Sequence, residues 1–306
     1  MRNSKYKQII VLYGGIGEER NVSFESGKAV ASSLKKDPGL SVCSLCIDDD
    51  IIPDWVDSNK HIVFPMIHGV FGENGELQKI LSSRGIEFVG SNFLASSLCF
   101  NKSETKLVVS DLGFSTADSI DFNSSSIPLA DTVIKALGES LVIKPKSSGS
   151  SYGLKMIEGR SSLGLLLSQI DSGEWLIEKR LYGRELSVGI LDDKALEIIE
   201  IKHGRDSYDY DAKYNSQCTE YICPADLKDN IRSQLIDQSE RIMKACGCRD
   251  FARIDFILVG EIPYFLEVNT IPGMSSHSLF PKCALACGIS FDELTQKMLS
   301  FAIDRS

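Results

Sequence analysis

Apolar and polar positions along this chain alternate at two periods, near 2 and near 3.6, and the switches between them outline an α/β fold. An apolar run, Gln8–Tyr13, ends in Gly14-Gly15-Ile16-Gly17 and passes into a helical stretch from about Ser23 to Leu34. Strands are expected at Ser41–Ile47, His61–Ile67 and Phe88–Ser91, with a helix ending near Ser83 between the last two. Strand, glycine loop and helix in that order open a doubly wound parallel sheet. Asn92–Leu112 reads as helical, broken near Asn101 and stopped by Gly113. Ser119–Pro128, rich in Ser, Asp and Pro, is expected as a loop before a helix at Ala130–Leu137.

The second half is richer in strands. Leu141–Lys144 and Leu154–Ile157 flank a Gly/Ser loop, and Trp175–Leu181 follows as a further strand. Leu186–Leu191 and Ala195–Lys202 form a hairpin, and the polar, aromatic stretch Tyr208–Tyr214 is a loop between strands, since Cys218–Pro224 is extended again. Leu227–Cys246 is helical, and the runs Ala252–Val259 and Tyr264–Val268 are joined by a turn containing Gly260 and Pro263. Ser290 and Glu293 form a capping box for a last helix with Leu294, Met298 and Phe301 on one face.

Composition narrows the class. With 306 residues the chain can build two or three units around a substantial core. A net charge of −9 argues against nucleic acid or an anionic membrane as partner. No stretch approaches eighteen apolar residues and Met1–Gln8 lacks the apolar core of a signal peptide, so a cytoplasmic location is expected. The nine cysteines include Cys43-x-x-Cys46 and Cys246-x-Cys248, but no second pair stands at zinc spacing, and reduced packing thiols are expected.

Three stretches carry candidate chemistry. Period-2 alternation puts Arg253 and Asp255 on one face of their strand, and Glu267 and Asn269 on one face of the next, so three oxygen-bearing side chains can converge across a hairpin. Such donors suit Mg²⁺ or Mn²⁺ at nucleotide phosphates rather than zinc, with the Arg253 fork beside them for a phosphate or an oxyanion. A hairpin that merely carries surface acids would show the same letters. Lys144 precedes Pro145-Lys146-Ser147-Ser148-Gly149-Ser150-Ser151-Tyr152-Gly153, a loop able to close over phosphates; it is no Walker loop, because no Gly-Lys-Ser/Thr opens a helix. Gly14-Gly15-Ile16-Gly17 likewise fails the dinucleotide fingerprint, which excludes a nicotinamide cofactor. Lys102 alone would read as solvated, and Glu178-Lys179 as alternating charge on an exposed strand.

Taken together, Gly14-Gly15 with Glu19-Arg20 and Val22-Ser23, the stretch from His68-Gly69 to Gln78, Asn101-Lys102, Tyr208–Tyr214, Arg253-Ile254-Asp255-Phe256 and the run from Glu267 to Leu279 resemble the D-alanine–D-alanine ligases of the ATP-grasp superfamily. The resemblance extends from Gly14 to Phe301 and implies a three-domain α/β fold: a doubly wound substrate-binding unit over 1–91, a central unit over 92–183, and a carboxy-terminal unit over 184–306. It implies ligation of two D-alanine molecules through an acyl phosphate at the expense of ATP, for peptidoglycan precursors. By the same resemblance Glu19 and His68 meet the first D-alanine, and Ser150 and Tyr214 bond with Glu19. Lys102, Lys144, Ser151 and Lys213 would attend the phosphates, Glu178, Lys179 and Leu181 the adenine, and Glu185 the ribose. Asp255, Glu267 and Asn269 would hold the metal, Arg253 and the Gly273 amide the oxyanion, and Ser278 and the Leu279 N–H the second carboxylate. A homodimer is implied, and a monovalent cation stays an open addition.

The chain departs from the family pattern at Asn21, Asn74, Asn101 and Ser147-Ser148. Two other readings stay open: a ligase of the superfamily with D-lactate or D-serine as acceptor, and a nucleotide-binding protein without catalysis. A neutral phenol at Tyr214 implies the dipeptide, since a cation there would repel an incoming ammonium.

Overall fold

The computed structural model describes residues 7–150, 152–203 and 219–306. Its first layer is a parallel sheet built from β1 (Gln8–Gly14), β2 (Val42–Ile47) and β3 (His61–Pro65), in the order β2-β1-β3. β1 is the central strand and its Ile9, Ile10, Val11 and Leu12 are buried, as a strand covered on both faces requires. Helix α1 (Arg20–Leu34) crosses between β1 and β2, and α2 (Val70–Glu73) and α3 (Glu76–Ser83) follow β3. The segment expected as the strand Phe88–Ser91 makes a single parallel bridge, Phe88 to Val63, and forms no strand. Gly90, in the positive-φ region, and the Gly90 N–H bond to Asp250 turn the chain away there.

Helices α4 (Phe93–Phe100) and α5 (Lys102–Asp111) meet at Asn101, whose side chain accepts from the Ser103 and Glu104 amides and so caps α5. Then come β4 (Ser115–Thr116), β5 (Ser119–Asn123), α6 (Ala130–Leu137), β6 (Ser140–Pro145), β7 (Lys155–Glu158), α7 (Arg160–Leu167) and β8 (Glu174–Lys179). Strands β5, β8, β6 and β7 form an antiparallel sheet in that order. Thus the start of Ser119–Pro128 is a strand rather than a loop. It is an edge strand that fully buries only Phe122, so its polar composition masks the pairing.

Among the described residues the largest sheet has the order β11-β10-β9-β12-β13-β4, from β9 (Arg184–Leu191), β10 (Lys194–His203), β11 (Thr219–Ile222), β12 (Phe251–Val259) and β13 (Ile262–Asn269). β4 pairs parallel with β13, so the stretch that ends α5 joins this sheet rather than the central one. One face of the sheet, with Leu186, Val188, Ile254, Phe256 and Phe265, is buried with residues of α4, α5 and of α8 (Asp229–Ala245). Helices α9 (Leu279–Ala286) and α10 (Phe291–Arg305) close a second core in which Phe251 and Phe280 meet at 5.9 Å between ring centroids, next to Ile9, Val30 and Leu34 of the first layer. Phe280 is fully buried, so Phe280→Ala is expected to cost about 3–5 kcal/mol, read as a lower denaturant midpoint. The Ser290–Glu293 capping box forms at the start of α10 as expected. No helix among the described residues is long and apolar enough to cross a membrane.

Candidate active site

The site stands on the face of the large sheet opposite α4, α5 and α8. Cross-strand register sets Asp255 directly opposite both Glu267 on β13 and Ser187 on β9, with Arg253 opposite Asn269. Directly opposed residues share a face, so the hairpin brings together the two acids and the amide expected from alternation. Between Asp255 and Phe256 the register skips Leu266. That bulge lets Phe265 return to the core while Glu267 stays on the site face, a common way of re-aiming a side chain at a functional edge.

Arg253 holds Asp255 in a two-pronged contact, Nε to Oδ1 at 3.0 Å and a terminal nitrogen to Oδ2 at 2.8 Å, and Ser187 Oγ donates to Oδ1 at 2.6 Å. Each carboxylate oxygen has a second lone-pair direction, so this anchoring orients Asp255 without exhausting it. Asn269 Oδ1 accepts from the Ile271 N–H at 3.1 Å, which fixes the amide. Among the described residues no three His, Cys, Asp or Glu side chains converge on one metal position. The candidate donor set holds two carboxylates and one amide; these all-oxygen donors fit a hard divalent cation and not zinc.

A cavity beside this hairpin is lined by Glu19, Lys102, Ser148, Ser150, Glu267 and Asn269, together with Glu73. Glu19 ends the loop after β1, and its carboxylate accepts the Ser150 hydroxyl across the cavity mouth. Ser150 sits at φ 46°, a left-handed conformation uncommon outside glycine, and the turn there aims the hydroxyl at Glu19. A Cβ on Gly149 would press into the Glu19 carboxyl group. Gly149→Ala should therefore push the loop off Glu19 and raise the KM of a substrate held by that carboxylate about tenfold, ~1.4 kcal/mol, with little change in thermal stability; steady-state kinetics and a melt check it.

Lys102, at the first position of α5, lies with its ammonium 2.5 Å from the Ser148 carbonyl and 3.5 Å from Glu267 Oε2. Its backbone N–H bonds the Lys146 carbonyl at 3.0 Å, tying the helix to the Gly/Ser loop. His68 is buried behind the cavity, its Nδ1 3.3 Å from Glu73 Oε1, and its Nε2 finds no partner among the described residues. Glu73, a cavity wall that also accepts the Gly69 N–H at 3.4 Å, was not singled out from sequence. Its place five residues beyond His68, in the same glycine-rich turn, was the available signal.

Lys144 and Glu178 stand apart from that cavity, on β6 and β8, with Lys144 Nζ 2.6 Å from Glu178 Oε2. Glu178 Oε1 accepts Lys106 Nζ at 2.5 Å, so each oxygen of this carboxylate is paired with a lysine. Burial pushes the Glu178 carboxyl up, but Lys144 and then Lys106 overcome it and hold it below the usual carboxylate range. Lys179 is exposed at the end of β8, and Leu181 and Glu185 are half-buried. Glu185 is opposite Ile257 and so shares the face of Asp255.

After β13 the chain turns through Gly273, where a Cβ would stand 2.8 Å from Ser278 Oγ. That hydroxyl accepts the Ser275 N–H at 3.0 Å rather than an amide of α9, at whose start Leu279 is buried. Ser151, Lys213 and Tyr214 lie outside the described residues.

Comparison with known proteins agrees with this arrangement. The family described as D-ala D-ala ligase C-terminus matches residues 108–300. A D-alanine–D-alanine ligase of Anaeromyxobacter sp. strain K is 36% identical over 299 residues, covering 97% of each chain. One from Actinobacillus succinogenes is 36% identical over 310 residues, covering 99% of this chain and all of its own. Among solved structures, the D-alanine–D-alanine ligase of Bacillus anthracis complexed with ATP superposes with a TM-score of 0.86 at 29% identity, covering 98% of both chains. The VanG D-Ala:D-Ser ligase of Enterococcus faecalis superposes at 0.82 with 27% identity, covering 97% of this chain and all of that one. With near-complete coverage on both sides, and a site face assembled from the same stretches that carry the resemblance, the chain belongs to the D-alanine–D-alanine ligase family.

Proposed function

We propose that the chain uses ATP to join two D-alanine molecules into D-alanyl-D-alanine, with an acyl phosphate between the two half-reactions. The observation that carries this reading is the single cavity in which Glu19 and Ser150, from the first layer and the Gly/Ser loop, face Lys102, Glu267 and Asn269. An ammonium-binding carboxylate and a phosphate-binding lysine in one cavity suit a reaction in which an amino acid's own carboxylate attacks a phosphoryl group.

In this reading Glu19, steadied by Ser150, takes the ammonium group of the first D-alanine, and the His68 Nε2, without a partner among the described residues, is available to its carboxylate end. Lys102, Lys144 and Lys213 spread the phosphate charge, with Ser151 beside them. Asp255, Glu267 and Asn269 would hold Mg²⁺ or Mn²⁺, which when bound supplies charge neutralisation at the phosphates. The free amine of the second D-alanine attacks the acyl carbon and phosphate leaves. Arg253 and the Gly273 N–H stabilise the oxyanion, while Ser278 and the Leu279 N–H retain the second carboxylate. Glu178, Lys179 and Leu181 belong to the adenine end and Glu185 to the ribose. Exclusion of water from the acyl phosphate is assigned to the loop that carries Lys213. The working assembly is a homodimer in the cytoplasm, which sedimentation and fractionation test.

The acceptor decides between this reading and its neighbours in the same fold. With ATP and an equimolar mixture of D-alanine, D-serine and D-lactate at neutral pH, D-alanyl-D-alanine should exceed each mixed product by at least about tenfold, as read by mass. A mixed product in the majority would overturn the acceptor assignment; nucleotide binding without any product would leave a binding protein.

A further inference from the structure

Lys106 lies one helical turn beyond Lys102 on α5, so the two ammonium groups leave the helix on the same side. Lys102 reaches the Gly/Ser loop, whereas Lys106 goes into the base of the central sheet. Its Nζ donates to the Ala117 carbonyl at 2.7 Å and to Glu178 Oε1 at 2.5 Å. The other oxygen of the same carboxylate takes Lys144 at 2.6 Å. All three side chains are about nine-tenths buried or more, at 7%, 7% and 9% exposure for Lys106, Glu178 and Lys144. Two cations thus share one anion in a place where an uncompensated charge is costly. The next acid on this side, Asp121, is engaged by Lys146 at 3.2 Å and Ser103 at 2.9 Å. Burial holds Lys106 below the usual lysine range, against the upward pull of Glu178.

Resting on the ligase reading above, we propose that Lys106 is a positioning residue for nucleotide binding: it keeps Glu178 paired when Lys144 turns to a phosphate, and leaves the site one positive charge in surplus. In a simple buried Lys144–Glu178 pair, an incoming phosphate would have to take the lysine from its carboxylate and strand a buried anion. With Lys106 on the other oxygen, the carboxylate stays compensated. The Ala117 carbonyl holds Lys106 in place throughout, so α5 and the central sheet remain joined while Lys144 exchanges partners.

The test is displacement of a fluorescent ADP analogue by ADP and by adenosine, on the full chain. Lys106→Met should weaken ADP at least about tenfold while adenosine changes less than about twofold, because the lost quantity is charge at the phosphates. Lys106→Arg should return ADP to within about threefold of wild type. The double variant Lys106→Met/Glu178→Gln, which removes the stranded charge and restores the surplus, should recover most of the ADP affinity; it serves equally if the single variant fails to fold. Unchanged ADP binding in Lys106→Met, an equal loss for adenosine, or a double variant as weak for ADP as Lys144→Ala would overturn the proposal. D-alanine-dependent ADP release by the wild type, measured alongside, separates the two levels. Its absence faults the ligase reading, whereas an ADP response to Lys106→Met stands on its own.

Discussion

Glu267→Gln should lower turnover at least about a hundredfold, ~2.7 kcal/mol of transition-state stabilisation, while leaving the thermal melt of the protein nearly unchanged. The substitution keeps shape and removes one charge from a donor set with only two carboxylates. The Glu267 side chain is 29% exposed and lies 3.5 Å from the Lys102 ammonium, at the cavity rather than in a core. Lys102 also keeps its contact with the Ser148 carbonyl, so the lysine is not left without a partner. Assays at saturating Mg²⁺ decide the matter. Turnover within about tenfold of wild type, ~1.4 kcal/mol, would remove the metal assignment from this hairpin.

The second large effect is expected at Arg253. Its guanidinium grips both oxygens of Asp255, a geometry that a lysine cannot reproduce with a single point charge. Arg253→Lys should therefore disturb two things at once: the orientation of Asp255 and the donor offered to the oxyanion. Turnover should fall about a hundredfold or more, with ADP affinity within about threefold, since no nucleotide contact is assigned to this side chain. A variant that retains more than about a tenth of wild-type turnover would mean that Ser187, bonded to Asp255 at 2.6 Å, suffices to hold the carboxylate.

How much of this was legible in the letters depends on whether a residue's partner lies close along the chain. The convergence of Asp255, Glu267 and Asn269 on one face was readable because β12 and β13 are adjacent and alternation assigns faces without further information. The Leu266 bulge was not, because an extra residue within an apolar run changes no pattern. Glu178 and Lys144 were visible as charged residues at strand ends, yet their pairing with each other and with Lys106 spans the central sheet and a helix. In sequence Lys106 is simply one more lysine on an amphipathic helix. Only burial beside a carboxylate gives it a meaning.

The placement of 93–116 carries the same lesson. Two short helices and a two-residue strand hold little local information about which sheet they join. The parallel pairing of β4 with β13 and the packing of α4 and α5 on the large sheet settle it by tertiary contact. Similarly β5, polar and at an edge, is defined by its partner β8 more than by its own propensity. The Gly/Ser loop reads as a candidate phosphate loop from its letters, but its bond from Ser150 to Glu19, 131 residues away in sequence, was supplied by resemblance and found again in the structure.

The central claim, that a carboxylate oxygen of D-alanine attacks the terminal phosphate of ATP, is tested most directly by following that oxygen. D-alanine labelled with ¹⁸O in both carboxylate positions is turned over with unlabelled ATP in ordinary water, and the products are separated by mass. The account predicts dipeptide in which the new amide carbonyl keeps one labelled oxygen while the other leaves in inorganic phosphate, one label per phosphate released. Label found in AMP, or phosphate released without label while dipeptide accumulates, would contradict it.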